Sequence, residues 1–143
     1  MSEIAQVFIE DMREGMSAAM EKTFTEDDVA AFARLSGDYN PAHMDADFAA
    51  KGIFGRRVVH GMLTASLVSA VLGVKLPGRG TVYVSQTLRF RAPVFIGDTV
   101  RAQIVITAID ARRKRVTFAT TCTVGEKTVL KGEAVIIAPS REV

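Results

Sequence analysis

The stretch VVHGMLTASLVSAVLG, residues 58–73, decides the fold of this chain. From Met62 onward it is apolar on nearly every face, which predicts an α-helix buried on all sides. Gly61 stands at its start, and Gly73 at its end is placed to be the C-cap. A helix that begins inside a protein presents unpaired backbone N–H groups and a partial positive charge. The stretch therefore predicts a central core helix whose N-terminus can bind a negative charge.

Gly61 itself has two explanations. The absence of a side chain would let a carbonyl group approach the backbone closely, so that the N–H could stabilise a developing oxyanion. A tight entry of the chain into the helix would require a glycine equally well. The sequence leaves both explanations open.

After Gly80 the hydrophobic period changes to two, which is typical of strands. The alternating segments predict strands over 82–91, 100–108, 116–124 and 129–137. The links at 112–114 and 125–126 are short enough for antiparallel hairpins. A single antiparallel sheet needs a cover for its apolar face, and the helix described above is the apolar element available. The pattern predicts an α+β domain in which a curved antiparallel sheet wraps around one central helix.

The front half of the chain is predicted to be mainly helical. A short strand over 17–24 comes first. Thr25 then looks like an N-cap, and Asp28 three residues later completes a variant of the capping box. A loop over 36–43 and a short helix over 46–50 are expected before the central helix.

Composition limits the classes of function. The chain has 143 residues, the length of a single domain, and its 48% hydrophobic content is enough to form a core. A net charge of +2 is too small to indicate a nucleic-acid partner. Cys122 is the one cysteine, and its place in an alternating strand predicts a buried hydrophobe rather than a reactive thiol. The N-terminus is acidic, and the central stretch is shorter than the about 20 residues that span a bilayer. We therefore expect a cytoplasmic protein without a membrane partner.

A second stretch, LSGDYNPAHMD at residues 35–45, places a carboxylate and an imidazole five positions apart in a rigid turn. Gly37 frees the backbone, while Pro41 fixes its own φ and pushes the residue before it out of helical conformation. Such a turn can hold Asp38 and His43 in the fixed relation that general acid–base catalysis requires. The same residues also make a good turn without chemistry, in which Asp38 is only a cap.

The segments GDYNPAH at 37–43 and VHGM at 59–62 together resemble the MaoC-like hydratase family, and more narrowly its short (R)-specific enoyl-CoA hydratases. The similarity runs from Phe24 to Ile137. It implies one hot-dog domain over residues 1–143, with 1–16 as an N-terminal extension. It also implies a homodimer, and pairing would protect the open edge strands of a single sheet.

The resemblance further implies roles for four residues. Asp38 and His43 would form the catalytic pair, and the N–H of Gly61 would bind the oxyanion. Ser69, two turns into the helix, would orient the catalytic carboxylate. A bond from its hydroxyl to the carbonyl four residues earlier is the alternative. His60 is expected to be a structural histidine or a contact at the rim of the site.

The reaction implied by the resemblance is the reversible syn addition of water to a trans-2-enoyl-CoA, which gives (R)-3-hydroxyacyl-CoA. No cofactor is expected, because coenzyme A is part of the substrate. No metal is expected either, because the two histidines lack a further ligand at metal-binding spacing. Other functions stay open: a dehydratase acting on acyl carrier protein, a hot-dog thioesterase, and a non-catalytic acyl-thioester binder.

Coenzyme A needs cationic contacts for its phosphates and an apolar tunnel for its acyl chain. The candidates selected for the phosphates are Arg56, Arg57, Lys75 and Arg89, and Arg79 and Arg91 are of the same kind. Solvated surface charges would explain the same residues without a ligand.

Overall fold

Five strands and four α-helices make up the part of the chain that the computed structural model describes, residues 3–142. The strands are β1 (Ser17–Thr23), β2 (Val82–Phe90), β3 (Thr99–Asp110), β4 (Arg115–Val124) and β5 (Lys127–Ile137). The helices are α1 (Glu26–Ser36), α2 (Pro41–Met44), α3 (Ala46–Ala50) and α4 (Gly61–Val74), and a short 3₁₀ turn covers Ile9–Asp11. The predicted strands agree with these bounds to within two residues. None of the helices in this range is both long and apolar enough to cross a membrane.

The strands form one antiparallel sheet in the order β1-β3-β4-β5-β2. The two hairpins predicted from the sequence join β3 to β4 and β4 to β5. Because β2 returns to pair with β5, β1 and β2 are the edges of the sheet. α4 packs across β1, β3 and β4. The expected α+β hot-dog arrangement, with a sheet around one central helix, is confirmed.

The core lies between α4 and the sheet. On the helix, Val68, Val71 and Leu72 are at most 1% exposed. The strands contribute equally buried side chains, among them Ile104, Ile106, Phe118 and Ile136. Cys122 of β4 is fully buried as predicted, and burial raises the pKa of its thiol to about 12. Removal of this apolar surface from water is the main force that holds α4 against the sheet.

Two expectations about α4 are wrong. The helix is not buried on all sides, because one sheet layer covers one face and leaves Met62, Ser66 and Ser69 exposed on the other. Gly73 is not the C-cap. The chain keeps helical φ and ψ angles after it, so the helix runs through Gly73 to Val74.

Capping residues in the sequence determine where the helices before the site begin. The predicted capping box is present: the Thr25 N–H donates to the Asp28 carboxylate (2.9 Å), and the Asp28 N–H donates to Thr25 Oγ1 (3.2 Å). The first of these bonds lowers the pKa of Asp28. The predicted loop over 36–43 instead runs into a one-turn helix, α2. Asn40 caps it by accepting a hydrogen bond from the Ala42 N–H (3.0 Å), and a proline in the first turn suits this position.

The N-terminal segment packs against the far end of α4. The Ala5 N–H donates to the Val74 carbonyl (2.9 Å), and the Arg79 N–H donates to the Ala5 carbonyl (2.7 Å). Gly78 permits this approach, because its φ is +82° and a Cβ there would lie 2.0 Å from the Ala5 oxygen. Ile9 is buried in the core. Residues 5–9 are therefore tied to the domain.

The edge strand β2 exposes apolar side chains. Val82, Val84 and Phe90 are 54%, 42% and 52% exposed. The pairing of β2 with β5 slips by one residue between Tyr83 and Ser85, which breaks the regular alternation expected from the sequence. This edge is an apolar surface that residues 3–142 of the single chain leave exposed.

Candidate active site

Asp38 lies in the turn that follows α1. Gly37, with φ of +82°, ends the helix in the left-handed conformation. The Asp38 N–H donates to Ser36 Oγ (3.1 Å), and Asp38 Oδ1 accepts from the Asn40 N–H (3.1 Å). The second bond closes an Asx turn, which fixes the direction of the carboxylate. The side chain is nevertheless exposed and can meet a ligand.

His43 lies on α2 and is held by the segment that precedes α4. Its Nδ1 is 2.7 Å from the Val58 carbonyl, and since a carbonyl only accepts, Nδ1 carries the hydrogen. Arg57 donates through Nε to the His43 carbonyl (2.7 Å) and through Nη1 to the Glu26 carboxylate (2.6 Å). This tautomer leaves Nε2 as the ring nitrogen that can accept a proton.

The turn and α2 bring the two side chains together. One carboxylate oxygen of Asp38 and one ring nitrogen each of His43 and His60 lie within 4.8 Å of one another. Two hydrogen bonds of about 2.8 Å that meet at one water span up to about 5 Å. A carboxylate oxygen and an imidazole nitrogen at this separation are close enough to share one water molecule, which is the arrangement that acid–base catalysis requires.

A cavity of about 290 Å³ opens beside His43, and Asp38 is not among the residues that line it. It is lined mainly by apolar side chains, and the residues that matter here are His43, Phe54, Gly61, Thr64, Phe90 and Val129. An apolar cavity that includes one ionisable ring and a helix N-terminus suits an apolar ligand with one polar, reactive end.

Gly61 begins α4 and lines the cavity together with His43. Its N–H belongs to the first turn, whose amides have no partner within the helix, and the N-cap His60 makes no side-chain bond to them. A Cβ at this position would lie 2.8 Å from Cε1 of Phe90. The ring of Phe90 in its present position therefore leaves room only for a glycine, while the amide of the same residue lies at the cavity.

Ser69 lies two turns further along α4, on its exposed face. It lines a groove of about 460 Å³ together with Tyr83 and Gln86 of β2. Within residues 3–142 the carboxylate of Asp38 accepts its hydrogen bond from Asn40, and no bond joins it to Ser69. The proposed orienting role of Ser69 stays a prediction.

Two of the selected basic residues, Arg56 and Arg57, are adjacent and line one groove, but their guanidiniums make different contacts. Arg57 is bonded beneath the pair as described above, so its guanidinium supports the site rather than facing solvent. Arg56 stacks its guanidinium on the ring of Phe95, 3.7 Å from the centroid. Lys75 is the C-cap at the opposite end of α4, which at 1.5 Å per residue is about 20 Å from Gly61.

The fourth, Arg89, belongs to a basic groove near the cavity. It pairs across the sheet with Lys131 of β5, and Arg91 follows shortly after. These residues line a polar groove of about 310 Å³. Arg91 lines both this groove and the apolar cavity, so the two spaces are neighbours. Lys131 was not selected from the sequence, because its position beside Arg89 depends on the register between β2 and β5.

Residues 9–128 match the model of the MaoC like domain family. The chain belongs to the MaoC-like family. The (R)-specific enoyl-CoA hydratase of Rhodospirillum rubrum is 51% identical over 134 residues, which cover 94% of this chain and 93% of that protein. The 3-hydroxybutyryl-CoA dehydratase of Methylorubrum extorquens is 45% identical over 140 residues, which cover 98% of this chain and 89% of that protein.

Solved structures show the same relationship for this MaoC-like domain. The (R)-hydratase from Aeromonas caviae involved in PHA biosynthesis superposes with a TM-score of 0.88 at 44% identity, over 91% of this chain and 99% of that one. An R-hydratase from Pseudomonas aeruginosa in the unliganded form superposes with a TM-score of 0.92 at 38% identity, over 98% and 90%. The resemblance carried by the segments at 37–43 and 59–62 is confirmed.

His60 is more central to this MaoC-like domain than its sequence position indicated. It is 2% exposed, so a contact at the rim of the site is wrong and a structural position is right. Its Nε2 lies 3.0 Å from the Asp38 carbonyl, and its ring stacks on His43 with centroids 4.0 Å apart. A polar residue inside an apolar stretch needs a hydrogen-bond partner when buried, which is the sequence signal that pointed to such a contact.

Asp38, His43 and His60 also form the one group in residues 3–142 whose donor atoms are close enough for a metal ion. The two imidazole rings are stacked, with their planes 30° apart and their centroids 4.0 Å apart. One nitrogen of each ring is already bonded to a backbone carbonyl. This geometry fits an acid–base pair better than a metal centre.

Proposed function

We propose that this protein catalyses the reversible addition of water to trans-2-enoyl-CoA, giving (R)-3-hydroxyacyl-CoA. The observation that carries the proposal is the position of Asp38 and His43, both within reach of one water and next to the N-terminus of α4. The 51% identity to the (R)-specific enoyl-CoA hydratase of Rhodospirillum rubrum supports the choice of reaction and stereochemistry.

In the direction of hydration, a water held between Asp38 and His43 attacks C3 of the enoyl thioester. The pair removes one proton from this water as its oxygen bonds to C3, and the electrons of the C2=C3 bond move onto the thioester carbonyl as an enolate. The pair then delivers a proton to C2 on the same face, which restores the carbonyl. Because both side chains are proposed to contact the same water, the role of base is assigned to the pair and not to one residue.

Gly61 is proposed to stabilise the enolate through its backbone N–H. Negative charge develops on the thioester oxygen during attack, and the first turn of α4 offers unpaired amides with the positive end of the helix dipole. Loss of one such donor commonly costs about 3 kcal/mol of transition-state stabilisation. The acid–base pair and this amide supply every step, so the proposed reaction uses no metal and no cofactor.

The substrate is proposed to occupy two neighbouring spaces. Its acyl thioester would lie in the apolar cavity beside His43. Arg91 lines both this cavity and the basic groove, and with Arg89 and Lys131 it would meet the phosphates of coenzyme A. Arg57 is not part of this phosphate site, because its guanidinium is bonded to Glu26 and to the His43 carbonyl.

A homodimer in the cytoplasm is the proposed form of the enzyme. The exposed face of α4 and the edge strand β2 enclose the groove that Ser69 lines, and β2 leaves its apolar side chains half exposed. Pairing β2 with β2 of a second copy would cover this surface and remove an open sheet edge. Sedimentation velocity should give the mass of a dimer for the wild type and of a monomer for Val84→Lys. A monomeric wild type would contradict this part of the proposal.

Hydration of crotonyl-CoA tests the proposed activity, because loss of the conjugated double bond lowers the ultraviolet absorbance. Chiral analysis of the product should give (R)-3-hydroxybutyryl-CoA. Release of free thiol from saturated acyl-CoA would indicate a thioesterase instead, and a strong preference for the crotonyl thioester of acyl carrier protein would indicate a dehydratase of that class. Failure to hydrate the thioester on either carrier would show that the proposed chemistry is wrong.

A further inference from the structure

His60 is fixed by two neighbouring aromatic rings and by one hydrogen bond. One face stacks on His43, with centroids 4.0 Å apart, and the ring of Phe32 lies at 4.8 Å in a tilted arrangement. At the edge, Nε2 lies 3.0 Å from the backbone carbonyl of Asp38. The side chain is 2% exposed. It therefore contacts both members of the catalytic pair without reaching solvent.

The bonds inside the Asp38 turn do not by themselves place it against α4. The bonds to Ser36 and from Asn40 are local, spanning two residues each, so they set the shape of the turn but not its position. The bond from His60 to the Asp38 carbonyl spans 22 residues and joins the turn to the start of α4. His43 is joined to the same segment through the Val58 carbonyl.

The three groups proposed to act in the reaction are the Asp38 carboxylate, the His43 ring and the Gly61 N–H. All three are held by, or belong to, one short segment, residues 58–61. Val58 holds the His43 ring through Nδ1, His60 holds the backbone of Asp38, and Gly61 follows directly with its N–H. A shift of His60 would move the carboxylate relative to both the imidazole and the amide. A misplacement of about 1 Å between reacting groups can lower a rate by about 100-fold.

His60 does not itself transfer the proton. A carbonyl only accepts, so Nε2 carries the hydrogen and is occupied by Asp38. Its Nδ1 is buried and has no partner among residues 3–142. Because Nε2 is bound to the Asp38 carbonyl and Nδ1 is buried, we assign His60 an effect on the reaction through the two residues that it contacts.

We propose that His60 is a positioning residue for the hydration reaction, which holds Asp38 by the hydrogen bond from Nε2 and His43 by ring stacking. This inference rests on the proposed function for its kinetic consequence, while the contacts themselves can be tested without it. It assigns a function to the residue just before Gly61, beyond the filling of core space.

Two substitutions of His60 separate the contribution of its hydrogen bond from the contribution of its ring stacking. His60→Phe keeps a flat ring for stacking and removes the donor, while His60→Gln keeps an N–H donor and removes the ring. We expect each to lower kcat for crotonyl-CoA by about 10- to 100-fold, with KM changed by less than about threefold, since only the reacting geometry is lost. Ile104→Val, a buried substitution in β3 away from the pair, is the control; it should lower Tm by a few degrees and leave kcat unchanged.

Imidazole NMR gives a readout that does not depend on activity. The chain has two histidines, so His60→Phe leaves His43 as the single imidazole signal. That signal should move from its wild-type position in His60→Phe and in His60→Gln, and stay in place in Ile104→Val. Folded His60 variants with wild-type kcat and an unmoved His43 signal would overturn the proposal. An inactive wild type would contradict the proposed function alone, because the NMR comparison would still test the contacts.

Discussion

The two ends of α4 differ in how their polar groups are satisfied. At the C-terminal end the chain folds back on the helix, and the Gly78 N–H donates to the Leu72 carbonyl (2.9 Å) while the N-terminal segment covers the last turn. At the N-terminal end the cap residue His60 makes no side-chain bond to the first amides. The two buried side-chain polar atoms without a partner in residues 3–142, His60 Nδ1 and Thr64 Oγ1, both lie at this end.

This difference separates the part of the helix that has to be stable from the part that has to bind. An unsatisfied buried polar group costs about 1–3 kcal/mol, so proteins keep few of them. Here the unsatisfied groups occur at the N-terminal end of α4, beside the cavity, the catalytic pair and Gly61. The C-terminal end carries no such group among the described residues. We call the N-terminal end the open end and the C-terminal end the closed end. We interpret the open end as the one that a substrate completes.

The largest expected effect concerns the pair at the open end. Asp38→Asn and His43→Ala should each lower kcat for crotonyl-CoA hydration by about 10²- to 10⁴-fold, because each removes one half of the acid–base pair. The double variant should be little worse than either single variant, since the two groups act as a unit. Stopped-flow or steady-state absorbance measurements check this. Single variants that retain the wild-type rate would break the link between the open end and catalysis.

The residues of this pair could be identified from the sequence because the turn and the short helix that carry them are formed locally. Gly37, the Asx turn of Asp38 and the proline-started α2 are all short-range features. The capping box of Thr25 was predictable for the same reason. α2 itself was missed because four residues are too few to show a helical period, although a cap residue followed by proline is a known signal for a helix start.

The contacts that support the pair depend on the tertiary fold, and the sequence could not supply them. Arg57 was selected as a phosphate contact, but the segment that precedes α4 docks under α2 and aims its guanidinium at the His43 carbonyl. Similarly, hydrophobic pattern cannot distinguish a helix that is buried on all sides from one whose second face, with Met62 and Ser69, is left for another surface. The contact of Arg57 and the exposure of the second face of α4 depend on which elements pack against each other. Composition and hydrophobic period do not specify this packing.

The next prediction compares a glycine-to-alanine substitution at each of the two ends of α4. In Gly61→Ala the new Cβ would lie 2.8 Å from the Phe90 ring, so the ring has to move at the cavity. Because Phe90 is half exposed, it can rotate without unfolding the domain. We expect kcat/KM to fall by about 100-fold through a displaced oxyanion site, with the free energy of unfolding changed by less than about 1 kcal/mol.

Gly73→Ala is the matched control for Gly61→Ala. It lies on the same helix, and apart from its chain neighbours and the adjoining helix backbone, no heavy atom of residues 3–142 stands within 4 Å of its added Cβ. Replacing a helix-interior glycine by alanine should raise the free energy of unfolding by about 0.5–1 kcal/mol, with kcat/KM unchanged. Equal losses of activity in both variants, measured with urea unfolding alongside the kinetics, would show that α4 is sensitive everywhere and that its two ends do not differ.

At the closed end, Gly78→Ala should affect stability and not catalysis. The added Cβ would lie 2.0 Å from the backbone oxygen of Ala5, and the residue has a φ of +82°. Left-handed conformation alone costs a residue with a side chain about 1–2 kcal/mol, and the N-terminal segment would also have to move. We expect a loss of about 2 kcal/mol in the free energy of unfolding. A fall in kcat for the folded protein would contradict the assignment of this end to stability.

The smallest effect concerns the unpaired hydroxyl of Thr64 at the open end. Thr64→Val is nearly isosteric and removes a buried group that has no partner among residues 3–142. Without a ligand, the variant should be as stable as the wild type or up to about 1 kcal/mol more stable, because no desolvated hydroxyl remains. Thermal unfolding in the absence of substrate measures this. A loss of about 1 kcal/mol instead would mean that the hydroxyl is already satisfied, for example by an ordered water. In that case the open end would be complete before any substrate binds, and its contrast with the closed end would rest on Gly61 and the pair alone.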